Sequence, residues 1–353
     1  MSGAPVPLTL FRFVRFPLTH VDFMTDATAT MAFDAALAQR MKVLRKLRLN
    51  DMFFAALTRA AAYFVLLLLG AVFISLIFGG REAAMKFGLG FLSSQSWNPV
   101  TENFGGLAPI YGTIVTSFIA MLIAVPVGLG IAIFLTETCP PVLRRPIGTA
   151  VELLAGIPSI IYGIWGLFVF APFLQRTLQP TLIDAFANIP VLNTLFAGPP
   201  YGIGMLTASF ILAIMVLPFI TAVARDVFDT VPPMLKEAAY GVGCTRWEVV
   251  SSIVVPYTRV GIIGGVMLAL GRALGETMAV TFVIGNAHKI APSLFAPGTT
   301  ISATIANEFT EAVGDVYTSS LILLGLILFV ITFIVLALAR LLLYRLEKQG
   351  GTK

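Results

Sequence analysis

The chain has 353 residues, 58% of them hydrophobic and only 12% charged, with a mean hydropathy of +0.92. Soluble domains carry about 25% charged residues, so half of the usual water-facing supply is missing and the composition is that of an integral membrane protein. Two cysteines (Cys139, Cys244) and two histidines (His20, His288) exclude a disulfide framework and leave too few ligands for haem or zinc; no metal is expected.

Residues 1–48 precede the first apolar segment. The stretch "LTLFRFVRFPLTHVDF" sets Arg12, Arg15, Pro17 and Asp22 among its apolar residues, so it lacks the clean core of a signal peptide. A loosely ordered cytoplasmic extension is expected there. Apolar stretches of about 20 residues, enough to cross ~30 Å of hydrocarbon, then occur six times. They lie at 53–78, 108–135, 149–174, 203–224, 260–284 and 319–341, leaving 346–353 as a tail. Gly156 and Pro158 interrupt the third, which is expected to be a single kinked span because proline removes a backbone hydrogen bond. Residues 180–200 are apolar but broken by four prolines, and are expected to be a surface or re-entrant piece at most.

Lys and Arg accumulate on the cytoplasmic side of short loops. With six spans, 18 basic residues fall on the side of both termini and four on the other (Arg81, Lys86, Arg176 and Lys289); Arg272 lies inside a span. Both termini are therefore expected in the cytoplasm. Topology accounts for the net charge of +5, and no nucleic-acid partner is expected.

The loop at 225–259 falls on that basic side. Asp229 and Thr230 offer caps, Pro232 and Pro233 suit a first helical turn, and "MLKEAAY" is strong helix-forming sequence. Gly241 or Gly243 can take the left-handed conformation that closes a helix. Thr245 then stands three residues before Glu248, the reciprocal arrangement that opens a new helix, which Pro256 is expected to end or kink. A helix-turn-helix elbow between two spans follows.

These residues carry a family resemblance. The spacing of "EAAYGVGCTRWEVVSSIVVP", with Glu237, Ala238, Ala239, Gly243, Ile253 and Pro256, resembles the cytoplasmic loop of permease subunits of bacterial ABC importers, with Val255 where leucine is usual. The resemblance implies an all-α, six-helix, type I (MetI-like) permease whose elbow seats in a separate ATPase subunit. No "GxxxxGK[ST]" phosphate-cradling loop occurs in the chain, so ATP is expected to be bound and hydrolysed by that other subunit, with no cofactor on this one.

The stretch "ALGRALGETMAV" at 269–280 puts Arg272 and Glu276 into an otherwise uncharged span. Each charge at mid-bilayer costs roughly 2.5–3.5 kcal/mol on insertion scales, so a task is implied. On a continuous helix the two are one turn and about 40° apart, on one face. Gly271 with Gly275, and Gly261 with Gly265, would let a neighbouring helix approach closely. Either the pair locks helices together, or Arg272 receives a passing anion while Glu276 holds the guanidinium when the path is empty. Arginine's planar fork of donors suits oxyanions.

The same stretch, with "PIYGTIVTSFIAMLIAVPVG", "ELLAGIPSIIYGIWGLFVFAP" and "LGLILFVITFIVLA", resembles the PstC-type permease family of bacterial phosphate importers over roughly residues 50–345. That resemblance implies inorganic phosphate as cargo and a location in the inner membrane. It also implies a related second permease subunit, two ATPase subunits and a periplasmic phosphate-binding protein. Sulfate or molybdate permeases share the chemistry of one arginine. A secondary transporter would not need the elbow, and an embedded enzyme would need a catalytic constellation that the sequence does not offer.

Overall fold

The computed structural model describes residues 26–350, and contacts divide the chain into two units, one ending at Ala71 and the other running from Val72. Helix α1 (Asp26–Gly79) begins well before the first expected span. Residues 26–48, expected to be loosely ordered, are thus helical, whereas the remainder of the extension lies outside the described residues. The Ala, Leu, Met, Lys and Arg residues of 26–48 are good helix formers, and the helix runs on without a break into the first membrane-length segment, Asn50–Gly79.

In the second unit, α2 (Arg81–Phe87) and α3 (Gly90–Ser93) lead to an antiparallel hairpin of β1 (Trp97–Asn98) and β2 (Asn103–Phe104). Helix α4 (Leu107–Ile133) continues to Thr138 as the second span. Helix α5 (Pro141–Ala155) then stops, and α6 (Ser159–Trp165) starts a new one. The third span runs through α6, α7 (Ala171–Phe173) and α8 (Gln179–Phe186), that is Ser159–Phe186, and is followed by α9 (Pro190–Leu195).

This corrects the expected span at 149–174. Pro158 does not kink one span. It separates the amphipathic α5 from a span that begins after it, and the first part of the segment read as a surface piece belongs to that span. The residue before a proline is pushed out of the helical region, which ends α5.

Helix α10 (Met205–Phe228) is the fourth span. It leads into α11 (Pro233–Gly241) and α12 (Arg246–Val249), and then into α13 (Val255–Leu274). Arg246–Leu274 forms one membrane-length helix, so Pro256 does not end it. The turn before it, Val250–Val254, widens to i→i+5 hydrogen bonding. The same widened turn precedes Pro172 and Pro180. A proline ring clashes with the carbonyl four residues back, and a wider turn moves that carbonyl aside. After α13 come α14 (Met278–Thr281), α15 (Ile301–Glu308) and the sixth span in α16 (Asp315–Gly350), which takes up most of the expected tail. Among the described residues six helices are long and apolar enough to cross a membrane.

Helix α10 is the hub. Its Ala208, Ile211, Leu212, Val216 and Ile220 are buried against Ala120 and Ala124 of α4, Ala269 and Ala273 of α13, and Ala279 of α14. Small residues set these distances. A Cβ on Gly261 or Gly265 would stand 2.6 Å from Val227 or Val223 of α10, the close approach expected of that pair. The segment between α14 and α15 folds back onto the bundle. Its Gly298 N–H donates to Ile284 O, and Val283 and Leu294 accept amide protons from Gly204 and Leu206.

Candidate translocation and coupling sites

Arg272 lies in the last turn of α13, and the helix stops at Leu274 with Gly275 as its cap. Glu276 comes after that stop. Its Oε1 accepts the Ala279 N–H at 3.3 Å, inside the first turn of α14. The two charges therefore do not share a continuous helical face, and among the described residues no ion pair joins them. Gly275 caps the helix instead of extending a glycine row, while Gly271 makes ordinary contact with Leu336 of α16, 3.6 Å from where a Cβ would be. Arg272 is exposed within this chain and Glu276 half-buried. A break at membrane depth is tolerated where backbone lines a cavity or is buried in protein. Here α6 covers it: a Cβ on Gly163 would come 3.0 Å from Met278 O and 3.2 Å from Ala279 Cα.

The elbow matches its sequence closely. Gly243 takes φ +94°, the left-handed turn expected of Gly241 or Gly243, and its N–H donates to Tyr240 O. Thr245 Oγ1 accepts the Glu248 N–H while Glu248 Oε2 accepts the Thr245 N–H at 2.7 Å, completing the reciprocal cap. Asp229 and Thr230 do not cap α11: Asp229 pairs with Arg144, and Thr230 Oγ1 donates back to Val227 O. Pro232 and Pro233 open α11, as expected.

One face of the elbow is buried and the other is open. Ala239, Val249 and Val254 pack with Phe228, Ala224 and Ala132, with Ile253 against them. Glu237, Ala238, Gly243 and Pro256 are exposed. Met234 (76%), Val242 (84%) and Trp247 (71%) are exposed large apolar side chains on the same elbow, of the kind that marks a protein contact.

Two clusters escaped the sequence. At the basic end, Lys236 of α11 meets Glu137 at 2.5 Å, Arg144 of α5 meets Asp229 at 2.7 Å, and Arg225 of α10 meets Glu152 of α5 at 2.5 Å. At the other end, Glu308 accepts from Tyr317 Oη at 2.7 Å and from Trp97 Nε1, and its second oxygen faces His288 Nε2 at 2.8 Å. Trp97 stacks on His288 with ring centroids 5.0 Å apart. Burial alone would raise the Glu308 carboxyl, but the hydrogen bonds from His288, Tyr317 and Trp97 together leave it below the usual carboxylate value. The signal missed was scarcity: in a chain 12% charged, an acid beside a span calls for a partner.

Six spans, a charge-bearing break at the end of the fifth and an exposed elbow after the fourth define a permease of the ABC importer class. A family model described as the binding-protein-dependent transport system inner membrane component matches residues 124–348. The phosphate transport system permease protein PstC of Mesorhizobium japonicum is 70% identical over 320 residues, covering 91% of this chain and 98% of the relative. That of Pasteurella multocida is 57% identical, covering 86% and 94%. Among solved structures, the crystal structure of a bacterial alginate ABC transporter in complex with an alginate pentasaccharide-bound periplasmic protein contains a chain that matches with a TM-score of 0.55 at 17% identity, covering 84% of this chain and 94% of that one. The chain belongs to the binding-protein-dependent transport system inner membrane component family.

Proposed function

We propose that this chain is the membrane permease subunit of an ATP-driven phosphate importer. The observation that carries the proposal is 70% identity, over 98% of its length, to a phosphate transport permease. In this account the basic end faces the cytoplasm, by the positive-inside rule, and the membrane is the inner one. The elbow's exposed Met234, Val242 and Trp247 seat in an ATPase subunit that binds the ATP, while this chain carries no cofactor. A related second permease subunit completes the pathway, two ATPase subunits drive it, and a periplasmic phosphate-binding protein delivers the anion.

Arg272 is the residue that meets phosphate. Its guanidinium has no carboxylate partner among the described residues, and a bidentate donor with no partner is suited to a transient oxyanion. Glu276 is held by the Ala279 amide and shapes the break beside it. A permease site needs to bind weakly enough to release its cargo, so selectivity rests mainly with the binding protein.

The test is copurification followed by reconstitution. A tagged copy of this chain should bring down an ATPase subunit, and the complex in liposomes should hydrolyse ATP faster with phosphate-loaded binding protein. Uptake of sulfate or molybdate in place of phosphate would shift the cargo while leaving the class intact.

A further inference from the structure

The ion pairs at the basic end form an ordered series. Along residues 137–152 the charges that pair between the strips run Glu137, Arg144, Glu152; along 225–236, read backwards, they run Lys236, Asp229, Arg225, with Arg145 and Asp226 interspersed and Arg225 also meeting Asp226 at 3.3 Å. Each meets its opposite, at 2.5, 2.7 and 2.5 Å. One strip is the end of the second span and α5; the other is the end of α10 and the elbow helix α11. The Glu137 and Lys236 side chains are only 7% and 19% exposed, so this rung is poorly screened by water. Between the strips lies a cavity of about 520 Å³, lined in part by Arg145, Gly148, Thr149 and Asp226, beside the apolar packing of Ala132 with Ala239 and Val249.

Helix α5 leads from there to the break. It ends at Ala155, and Gly156, Ile157 and Pro158 separate it from α6, with Tyr162 Oη donating to Leu154 O across the gap at 2.8 Å. Such a short non-helical joint between two rigid helices can absorb a change of angle. Beyond it, Gly163 of α6 lies against Met278 and Ala279, the residues that follow Glu276.

We propose that the three ion pairs fasten the end of the second span and α5, which follows it directly, to the end of α10 and the elbow as a lever, so that elbow movement reaches the Arg272–Glu276 break through α5, the Gly156–Pro158 joint and α6. Glu137, Arg144, Glu152, Arg225, Asp229 and Lys236 are positioning residues, acting through α5 and touching no cargo. Packing of α13 against α10 gives the elbow a direct route, and the lever is a second one that enters from the third span. The proposal rests on the importer reading above.

The test uses the whole reconstituted complex and measures phosphate taken up per ATP hydrolysed. The wild-type complex is the control: if it takes up no phosphate, the importer reading fails before the lever is addressed. Given wild-type uptake, Glu137→Lys and Lys236→Glu alone should each lower the ratio by roughly tenfold, the ordinary scale of a coupling between sites. The double variant, which restores opposite charges with their positions exchanged, should recover most of it. Singles that keep the wild-type ratio, or that only reduce the amount of assembled complex while the ratio stays unchanged, overturn the proposal. So does a double variant that assembles but stays uncoupled. If the 137–236 singles do not accumulate, Arg144→Glu and Asp229→Arg, on the more exposed rung, provide the same comparison with the same outcomes.

Discussion

Glu276 stands one residue past the glycine that closes the helix carrying Arg272, and its carboxylate accepts the Ala279 amide instead of pairing with the guanidinium. An arginine with no carboxylate partner among the described residues has its donors available to an anion. A break beside it also gives two helix segments that can change their angle, which a continuous helix would resist. The relation favours a substrate role for Arg272 over a structural lock.

The elbow turn depends on the conformation of Gly243. No heavy atom lies within 4 Å of where a Cβ would be, so a side chain there meets open space and the cost is in the backbone. At φ +94° a β-branched residue costs about 1–3 kcal/mol, enough to reshape an exposed turn and too little to unfold the membrane core. Gly243→Val should therefore preserve protein level while binding-protein-stimulated ATP hydrolysis falls. Gly243→Asn, which visits left-handed conformations more readily, should retain more of it. Equal stimulation in all three proteins would separate this glycine from coupling.

Gly112 presents the opposite case, in which space decides. A Cβ there would lie 1.9 Å from Thr299 O, and that backbone cannot retreat without moving the segment folded back between α14 and α15. Gly112→Ala should destabilise the chain by roughly 1–3 kcal/mol or more, in the range of overpacked cores. A lowered thermal midpoint of the purified complex checks this. An unchanged midpoint would mean that α4 and the 284–300 segment are not so closely apposed.

Acid should loosen the cluster at Glu308. Its carboxyl is held below the usual carboxylate value, so the charged form is favoured in the folded state. A depressed carboxylate contributes stability that is present above its unfolded value and is lost as pH falls through the folded one. The thermal midpoint should thus be insensitive to this group near neutrality and fall below about pH 4.5. Glu308→Gln should lower the midpoint at pH 7, at a cost of about 1–3 kcal/mol for partners left poorly satisfied, and flatten the acid limb. A variant whose acid limb matches wild type would assign that limb to other groups.

Local chemistry made much of this fold legible. The number of spans follows from apolar length alone, though the bounds of the third and fifth do not, and the elbow's glycine turn and reciprocal Thr245–Glu248 cap follow from residues at fixed offsets. What stayed hidden depended on neighbours. Pro158 reads equally well as a kink or as a stop, and only the packing of α6 against α14 decides. Pro256 reads as a helix end until the widened turn before it is seen. Arg272 and Glu276 share a face only if Gly275 stays helical, and periodicity does not reveal that Gly275 caps the helix. The three ion pairs join residues about 70 to 100 positions apart, which no local pattern can pair.

Arg272→Gln tests the central claim most directly. A polar amide of similar reach removes the charge without opening a large void, and Glu276 keeps its bond to the Ala279 amide. Reconstituted complexes carrying this single change, and those carrying Glu276→Gln with it, should assemble at wild-type levels and take up no phosphate. Near-normal phosphate uptake by either would contradict the account, because the anion would then be crossing without the one arginine assigned to meet it.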